Sequence, residues 1–162
     1  MPVNPIPNGY EGATPYLCCK DAAKLIEFYK EAFGAEELYR LAMPDGRVGH
    51  AEVKVGGAII MLADEFPEWG NRSPLSVGGS STTVLIYVKD VDAFVAHAEK
   101  AGAKVLMPPE TMFYGDRSSK VEDPSGHYWM FSSRVEDLTP EEINERAKTA
   151  FTEGGCGDGD KK

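Results

Sequence analysis

The sequence predicts an α+β fold of two βαβββ modules that pair into a curved mixed sheet around a central cavity, with a C-terminal helix added. Three observations carry this. First, Lys20-Asp21-Ala22 opens an amphipathic run that closes at Phe33-Gly34-Ala35, and Lys89-Asp90-Val91 opens a second that closes at Ala101-Gly102-Ala103. Second, the two Asp residues lie 69 positions apart, and so do Gly57 and Gly126 in the last turn of each half. A fixed spacing of this kind marks a duplicated unit. Third, an apolar strand precedes each run and three short strands follow it, so one module spans 14–64 and the other 83–133. Modules of roughly 50 residues bury too little surface to fold alone, so the halves are expected to pair.

The elements follow in order. Residues 1–13 form an extended lead-in. Strands at Thr14–Cys19 and Thr83–Val88 begin the modules. Asp21 and Asp90 stand at N-cap positions, where a carboxylate accepts from the free amides of the first helical turn. The helical stripe is Ala22, Leu25, Ile26, Tyr29 and Phe33 in one module and Val91, Phe94, Val95 and Ala98 in the other. Gly34 and Gly102 end the helices, because glycine enters the left-handed conformation without steric cost. Strands follow near Glu37–Ala42, Val48–Val55 and Ala58–Ala63, and near Lys104–Met107, Ser118–Glu122 and His127–Ser132. The turns Pro44-Asp45-Gly46 and Asp123-Pro124-Ser125-Gly126 separate them. A Pro-, Gly- and Ser-rich linker covers 65–82 and is placed to act as a lid. Thr139-Pro140-Glu141-Glu142 reads as a capping box opening a helix that runs to Phe151, within a C-terminal segment 134–151. A disordered tail is expected over 152–162.

Composition narrows the function. The chain has 162 residues, 17 Lys and Arg against 26 Asp and Glu, and a formal charge of −9. That balance repels phosphate backbones and anionic lipid, so neither nucleic acid nor membrane is the expected partner. No apolar run is long enough to span a bilayer, and the first residues lack a secretory pattern. Three cysteines, two of them adjacent at Cys18 and Cys19, define no disulfide framework. A cytoplasmic location is the expectation.

Several motifs resemble one family. Thr14-Pro15-Tyr16-Leu17, Phe28-Tyr29-Lys30-Glu31-Ala32-Phe33-Gly34, Gly49-His50-Ala51-Glu52, Tyr114-Gly115-Asp116-Arg117 and Asp123-Pro124-Ser125-Gly126-His127-Tyr128-Trp129 look like the PhnB-like branch of the vicinal oxygen chelate superfamily. That superfamily includes glyoxalase I, extradiol dioxygenases and the fosfomycin- and bleomycin-resistance proteins. The resemblance covers Thr14 to about Ala147. It implies a homodimer and a groove that holds a small molecule. In glyoxalase-type members, His or Glu side chains in the first and last strand of each module chelate a metal. The matching positions here look like Thr14, Met61, Thr83 and Met130. Two hydroxyls and two thioethers suit Zn²⁺, Ni²⁺ or Fe²⁺ poorly, so no metal and no other cofactor is expected.

Strand alternation assigns the groove lining. Tyr16, Cys18, Ile59 and Met61 in the first module, and Thr83, Leu85, Tyr87, Tyr128 and Met130 in the second, face away from the helices. Trp129 and Phe131 face the core. Ala51, Val53 and Val55 do likewise, leaving His50, Glu52 and Lys54 on the open face. His50 and Glu52, about 7 Å apart on one strand face, are the catalytic candidates, placed for acid–base work or for contact with a polar ligand. Tyr114 and Arg117 are candidates to clamp a polar or anionic group. His127 is read as a packing residue on the helix side, and His97 as solvent-facing. Three functions fit: binding of a partly apolar or aromatic small molecule without metal, a lyase-, isomerase- or dioxygenase-type enzyme using His50 and Glu52, or a structural or regulatory dimer with a vestigial groove.

Overall fold

The computed structural model describes residues 3–153. In chain order the elements are β1 (Tyr16–Cys19), α1 (Ala22–Phe33), β2 (Glu36–Ala42), β3 (Val48–Val55), β4 (Ala58–Asp64), α2 (Pro74–Val77), β5 (Thr83–Tyr87), α3 (Val91–Lys100), β6 (Lys104–Thr111), β7 (Asp116–Glu122), β8 (Tyr128–Arg134) and α4 (Pro140–Glu153). Two βαβββ modules are present. Each forms a four-stranded sheet, ordered β1-β4-β3-β2 in one and β5-β8-β7-β6 in the other. The helical crossover lets the first strand of each module lie parallel to the last, while the remaining neighbours are antiparallel.

The expected α+β arrangement of paired modules is built as two four-stranded mixed sheets with a C-terminal helix. Among the described residues no ladder joins β1 to β5, the outer strands that border the space between the modules. β6 is longer than expected because Pro108 and Pro109 are accommodated beside a register shift between Met107 and Glu110. Proline is tolerated there because β6 is an edge strand. The linker is also structured: a 3₁₀ turn at Pro67–Trp69 and the short α2 lie within it. Helix α4 takes in Thr152 and Glu153, the first residues of the expected tail, and the rest of that tail lies outside the described residues.

Local chemistry explains the helix ends. The Asp21 and Asp90 side chains accept from the amides of Lys24 (3.2 Å) and Ala93 (3.0 Å). Gly34 is left-handed, with φ 63°. The Thr139 amide donates to Glu142 at 2.8 Å and the Glu142 amide to Thr139 Oγ1 at 3.2 Å, completing the capping box of α4. The duplication extends to a less local device. Asp64, at the end of β4, accepts from the first amide of α1 (Ala22, 2.8 Å) and from Val48 (2.6 Å). Its counterpart Ser133 accepts from the first amide of α3 (Val91, 3.0 Å) and donates to the Val88 carbonyl (2.8 Å). In both modules the last strand therefore satisfies a helix terminus that would otherwise be a buried orphan.

The two modules share one core. The α1 and α3 faces meet over β8, where Phe33 and Phe94 lie 4.9 and 4.4 Å from Phe131, and Tyr29 lies 5.2 Å from Trp129 (ring centroids). Trp129, Tyr29 and Phe131 are fully buried. A polar hub crosses the same interface. Tyr29 donates to Asp123 Oδ2 at 2.6 Å, joined by Trp129 Nε1 at 3.0 Å and by the amides of Ser125 and His127. His127 lies between Asp123 (3.2 Å from Nδ1) and the Cys18 carbonyl of β1 (3.1 Å from Nε2). Both ring nitrogens thus face acceptors. Burial pushes the Asp123 carboxyl up, but the donors and charge of His127, with Tyr29 and Trp129, outweigh it and hold it below its ordinary value. Among the described residues no helix is long and apolar enough to cross a membrane.

Candidate functional site

The open face of the first sheet carries a hydrogen-bonded series. Ala51, Val53 and Val55 of β3 are buried under α1, so alternation turns His50 and Glu52 outward. His50 Nε2 lies 3.2 Å from Glu52 Oε1, and His50 Nδ1 lies 3.0 Å from the Tyr16 hydroxyl on β1. The second Glu52 oxygen accepts from the Tyr10 hydroxyl, which the N-terminal segment lays across the sheet. The hydrogen bonds from Tyr10 and His50 lower the Glu52 carboxyl below its usual range, whereas burial raises the Tyr16 phenol. Glu52 is therefore ionised and only accepts, Nε2 carries a proton, and in the neutral ring Nδ1 is the basic nitrogen facing Tyr16. Both the His50 and the Glu52 side chain keep about a fifth to a quarter of their surface open, at 25% and 21%.

Tyr16 connects this series to the main cleft. A cleft of about 630 Å³ lies between β1 and β5, walled by the segment before β5 and floored at one end by Tyr128 and His127. Tyr16, Cys18, Thr83 and Tyr128 are brought together there, with Thr14. Tyr16 and Cys18 also line an adjoining hollow of about 400 Å³ with Leu41 and Trp69. Tyr87 and Tyr114 are not part of this assembly. They line a separate hollow of about 550 Å³ with Asp116, Arg134 and Ile143 of α4, and the Tyr87 hydroxyl donates to Asp116 at 2.5 Å. Arg117 sits next along β7 from Asp116, where alternation gives it the other face, and it grips both Asp92 oxygens at 2.6 Å each. Met61 and Met130 lie half-buried on the open faces, in register with Tyr16 and Leu85. His97 is exposed and contacts the Glu31 carbonyl at 2.7 Å.

The four family chelating positions carry two hydroxyls and two thioethers. Thr14 and Thr83 line the cleft, whereas Met61 and Met130 do not. Among the described residues no cluster of three or more His, Cys, Asp or Glu is arranged to hold a metal ion. Hydroxyl and thioether donors do not fit a divalent transition metal. The thiols are equally quiet: burial pushes Cys18 up, and pushes Cys19 far up, so neither is an activated thiolate.

Three participants went unmarked in the sequence reading: Tyr10, Arg72 on the cleft wall, and the hub acid Asp123. Tyr10 sits in a segment with no periodicity. Asp123 had a signal, since Asp-Pro-Ser-Gly opens a turn in which its carboxylate would meet the following amides.

Comparison with known proteins places these features. The family model described as Glyoxalase/Bleomycin resistance protein/Dioxygenase superfamily matches residues 13–131. The chain is 41% identical over 133 residues to Uncharacterized protein Mb0911c of Mycobacterium bovis, covering 80% of this chain and 88% of that one. Among solved structures, TioX from Micromonospora sp. ML1 is 27% identical with a TM-score of 0.60, covering 76% of this chain and 100% of TioX. The At5g48480 gene product of Arabidopsis thaliana is 28% identical with a TM-score of 0.60, covering 76% and 98%.

Proposed function

The chain belongs to the glyoxalase/bleomycin resistance protein/dioxygenase superfamily, and from that premise we propose that it binds a small, partly aromatic molecule in the cleft between its modules without using the family metal. The single observation that carries this reading is the inter-module cleft of about 630 Å³, whose walls include Tyr16, Leu85, Tyr128, Pro74 and Val77. Its size falls within the roughly 300–1,000 Å³ typical of small-molecule sites. Aromatic walls with hydroxyls at their edges suit a planar ligand.

Two further assignments accompany it. We place the protein in the PhnB-like branch on the Gly49-His50-Ala51-Glu52 and Asp123-to-Trp129 motifs. We also assign it to the cytoplasm, where the unpaired Cys18 and Cys19 would stay reduced. The open sheet faces leave Tyr16, Tyr39, Leu41, Leu85 and Tyr87 about half exposed. A second copy covering them, in a two-fold dimer, would complete the groove. Sedimentation equilibrium tests that association.

The Tyr16–His50–Glu52–Tyr10 series favours a second reading, acid–base catalysis on a small oxygenated metabolite. His50 would take a proton through Tyr16, and Glu52 would hold the tautomer and stabilise the imidazolium. The two readings separate by experiment. Binding predicts that the neutral planar probe 2-naphthamide raises the melting temperature of the full chain and that Tyr16→Ala removes the rise. No shift with any of a panel of planar aromatic compounds would sink it. Catalysis predicts that turnover of a bound metabolite is lost in His50→Gln while binding persists. A variant with unchanged turnover would dismiss the relay.

A further inference from the structure

We propose that the inter-module cleft selects an anionic ligand, an aromatic or apolar carboxylate or phosphate whose charged end is held by Arg72. This rests on the binding reading above and adds the ligand's charge. Five of the six arginines of the chain already engage a carboxylate: Arg40 with Glu37, Arg47 with Asp45, Arg117 with Asp92, Arg134 with Asp137 and Arg146 with Glu136. Arg72 forms no ion pair among the described residues, yet it lines the cleft.

Its surroundings sharpen the assignment. The chain carries 26 acidic residues, but none of them lines this cleft. The nearest acids in sequence are occupied: Glu68 lies 3.8 Å from Arg47, and Glu65 accepts from the Ser73 amide at 2.6 Å. Hydroxyls are abundant instead, from Thr14, Ser80, Ser81, Thr82 and Thr83. A cationic ligand would find no countercharge here, whereas an anion meets a guanidinium and several donors. The backbone before Arg72 is also fixed, because Phe66 and Asn71 exchange amide–carbonyl bonds of 3.0 and 3.1 Å that close the loop around Pro67–Trp69. A guanidinium on an anchored backbone loses less freedom on forming a two-pronged bond to a carboxylate or phosphate. The overall negative charge disfavours long-range attraction of anions, so recognition relies on this short-range contact, which at an exposed guanidinium weakens as salt is added.

The test is a titration of the full chain with 2-naphthoate, 2-naphthyl phosphate and neutral 2-naphthamide at fixed ionic strength. At least one anion should bind about tenfold or more tighter than the amide, in line with the strength of charge-assisted bonds. Which anion wins distinguishes the carboxylate from the phosphate source. Arg72→Gln, at an exposed site where folding should be retained, as the ligand-free melting temperature checks, should lose that preference, the anion falling to the affinity of 2-naphthamide measured on the same variant. Equal binding of all three probes, or a preference that persists in Arg72→Gln, overturns the anion assignment and leaves the binding reading standing. Failure of all three to bind overturns both.

Discussion

Tyr29→Phe isolates one of the polar bonds that join the two modules. Tyr29 is fully buried, and its hydroxyl donates to Asp123 Oδ2 at 2.6 Å. Phenylalanine keeps the ring against Trp129 and deletes one oxygen, so the cavity contribution is small. A hydrogen bond to a charged acceptor contributes about 1.5–3 kcal/mol. Asp123 keeps Trp129, His127 and two backbone amides as donors, so the expected loss is about 2 kcal/mol. For a chain of this size that corresponds to a fall of about 4–8 °C in melting temperature. The pH dependence has a defined sign. Asp123 titrates lower in the folded state than its ordinary value. Its stabilisation is therefore present above the unfolded pKa of about 3.9 and is lost as pH falls from there through the folded pKa. The gap between wild type and variant should be constant from pH 7 to 5 and shrink only as pH falls through the folded pKa, below the ordinary carboxylate value. Urea unfolding followed by tryptophan fluorescence reads this, since Trp129 is buried whereas Trp69 is largely exposed. A variant within about 0.5 kcal/mol of wild type at pH 7 would refute the hub as a charged inter-module clasp.

Other sites yield predictions of the same kind. Asp64→Ala orphans the Ala22 and Val48 amides together and should cost about 2–4 kcal/mol in urea unfolding; Ser133→Ala, with one amide at stake, should cost less. Gly115→Ala should destabilise by more than about 1 kcal/mol, because Gly115 has φ +92° and an added Cβ would lie 2.9 Å from the Glu136 carbonyl oxygen. In a Cys156→Ser background, Cys18 should react with a thiol reagent more slowly than an unstructured cysteine, and Cys19 only on unfolding, since burial raises both thiols and Cys19 far more. Equal native-state labelling of the two would contradict the placement of Cys19 in the core. Thr139→Ala removes half of the capping box and should lower the stability of α4 by about 1 kcal/mol, visible as reduced helicity at 222 nm with the core transition unchanged.

The sequence by itself determined the modular architecture, because the signals involved are local and repeated. Asp21 and Asp90 cap helices through amides three residues on. Glycine turns relieve strain where the chain reverses, and two-residue alternation sorts Ala51, Val53 and Val55 from His50 and Glu52. The 69-residue offset then made each half a check on the other, and the core aromatics Trp129 and Phe131 were legible as such. The His50–Glu52 pair was visible for the same reason, being two residues apart on one strand face.

Tertiary structure decided what those local signals could not reach. Tyr10 meets Glu52 across 42 residues and Tyr29 meets Asp123 across 94, and no periodicity encodes such pairings. Alternation could say that Tyr16, Tyr87 and Tyr128 left the core, but not that Tyr87 belongs to a hollow beside α4 while the other two share the cleft. Arg117 needed the position of α3 before its partner Asp92 could be named. Arg72 depended on the fold of a linker whose composition signals only turns. Backbone periodicity specifies which face a side chain takes; how modules and connecting segments dock, through contacts distant in sequence, specifies what it meets there.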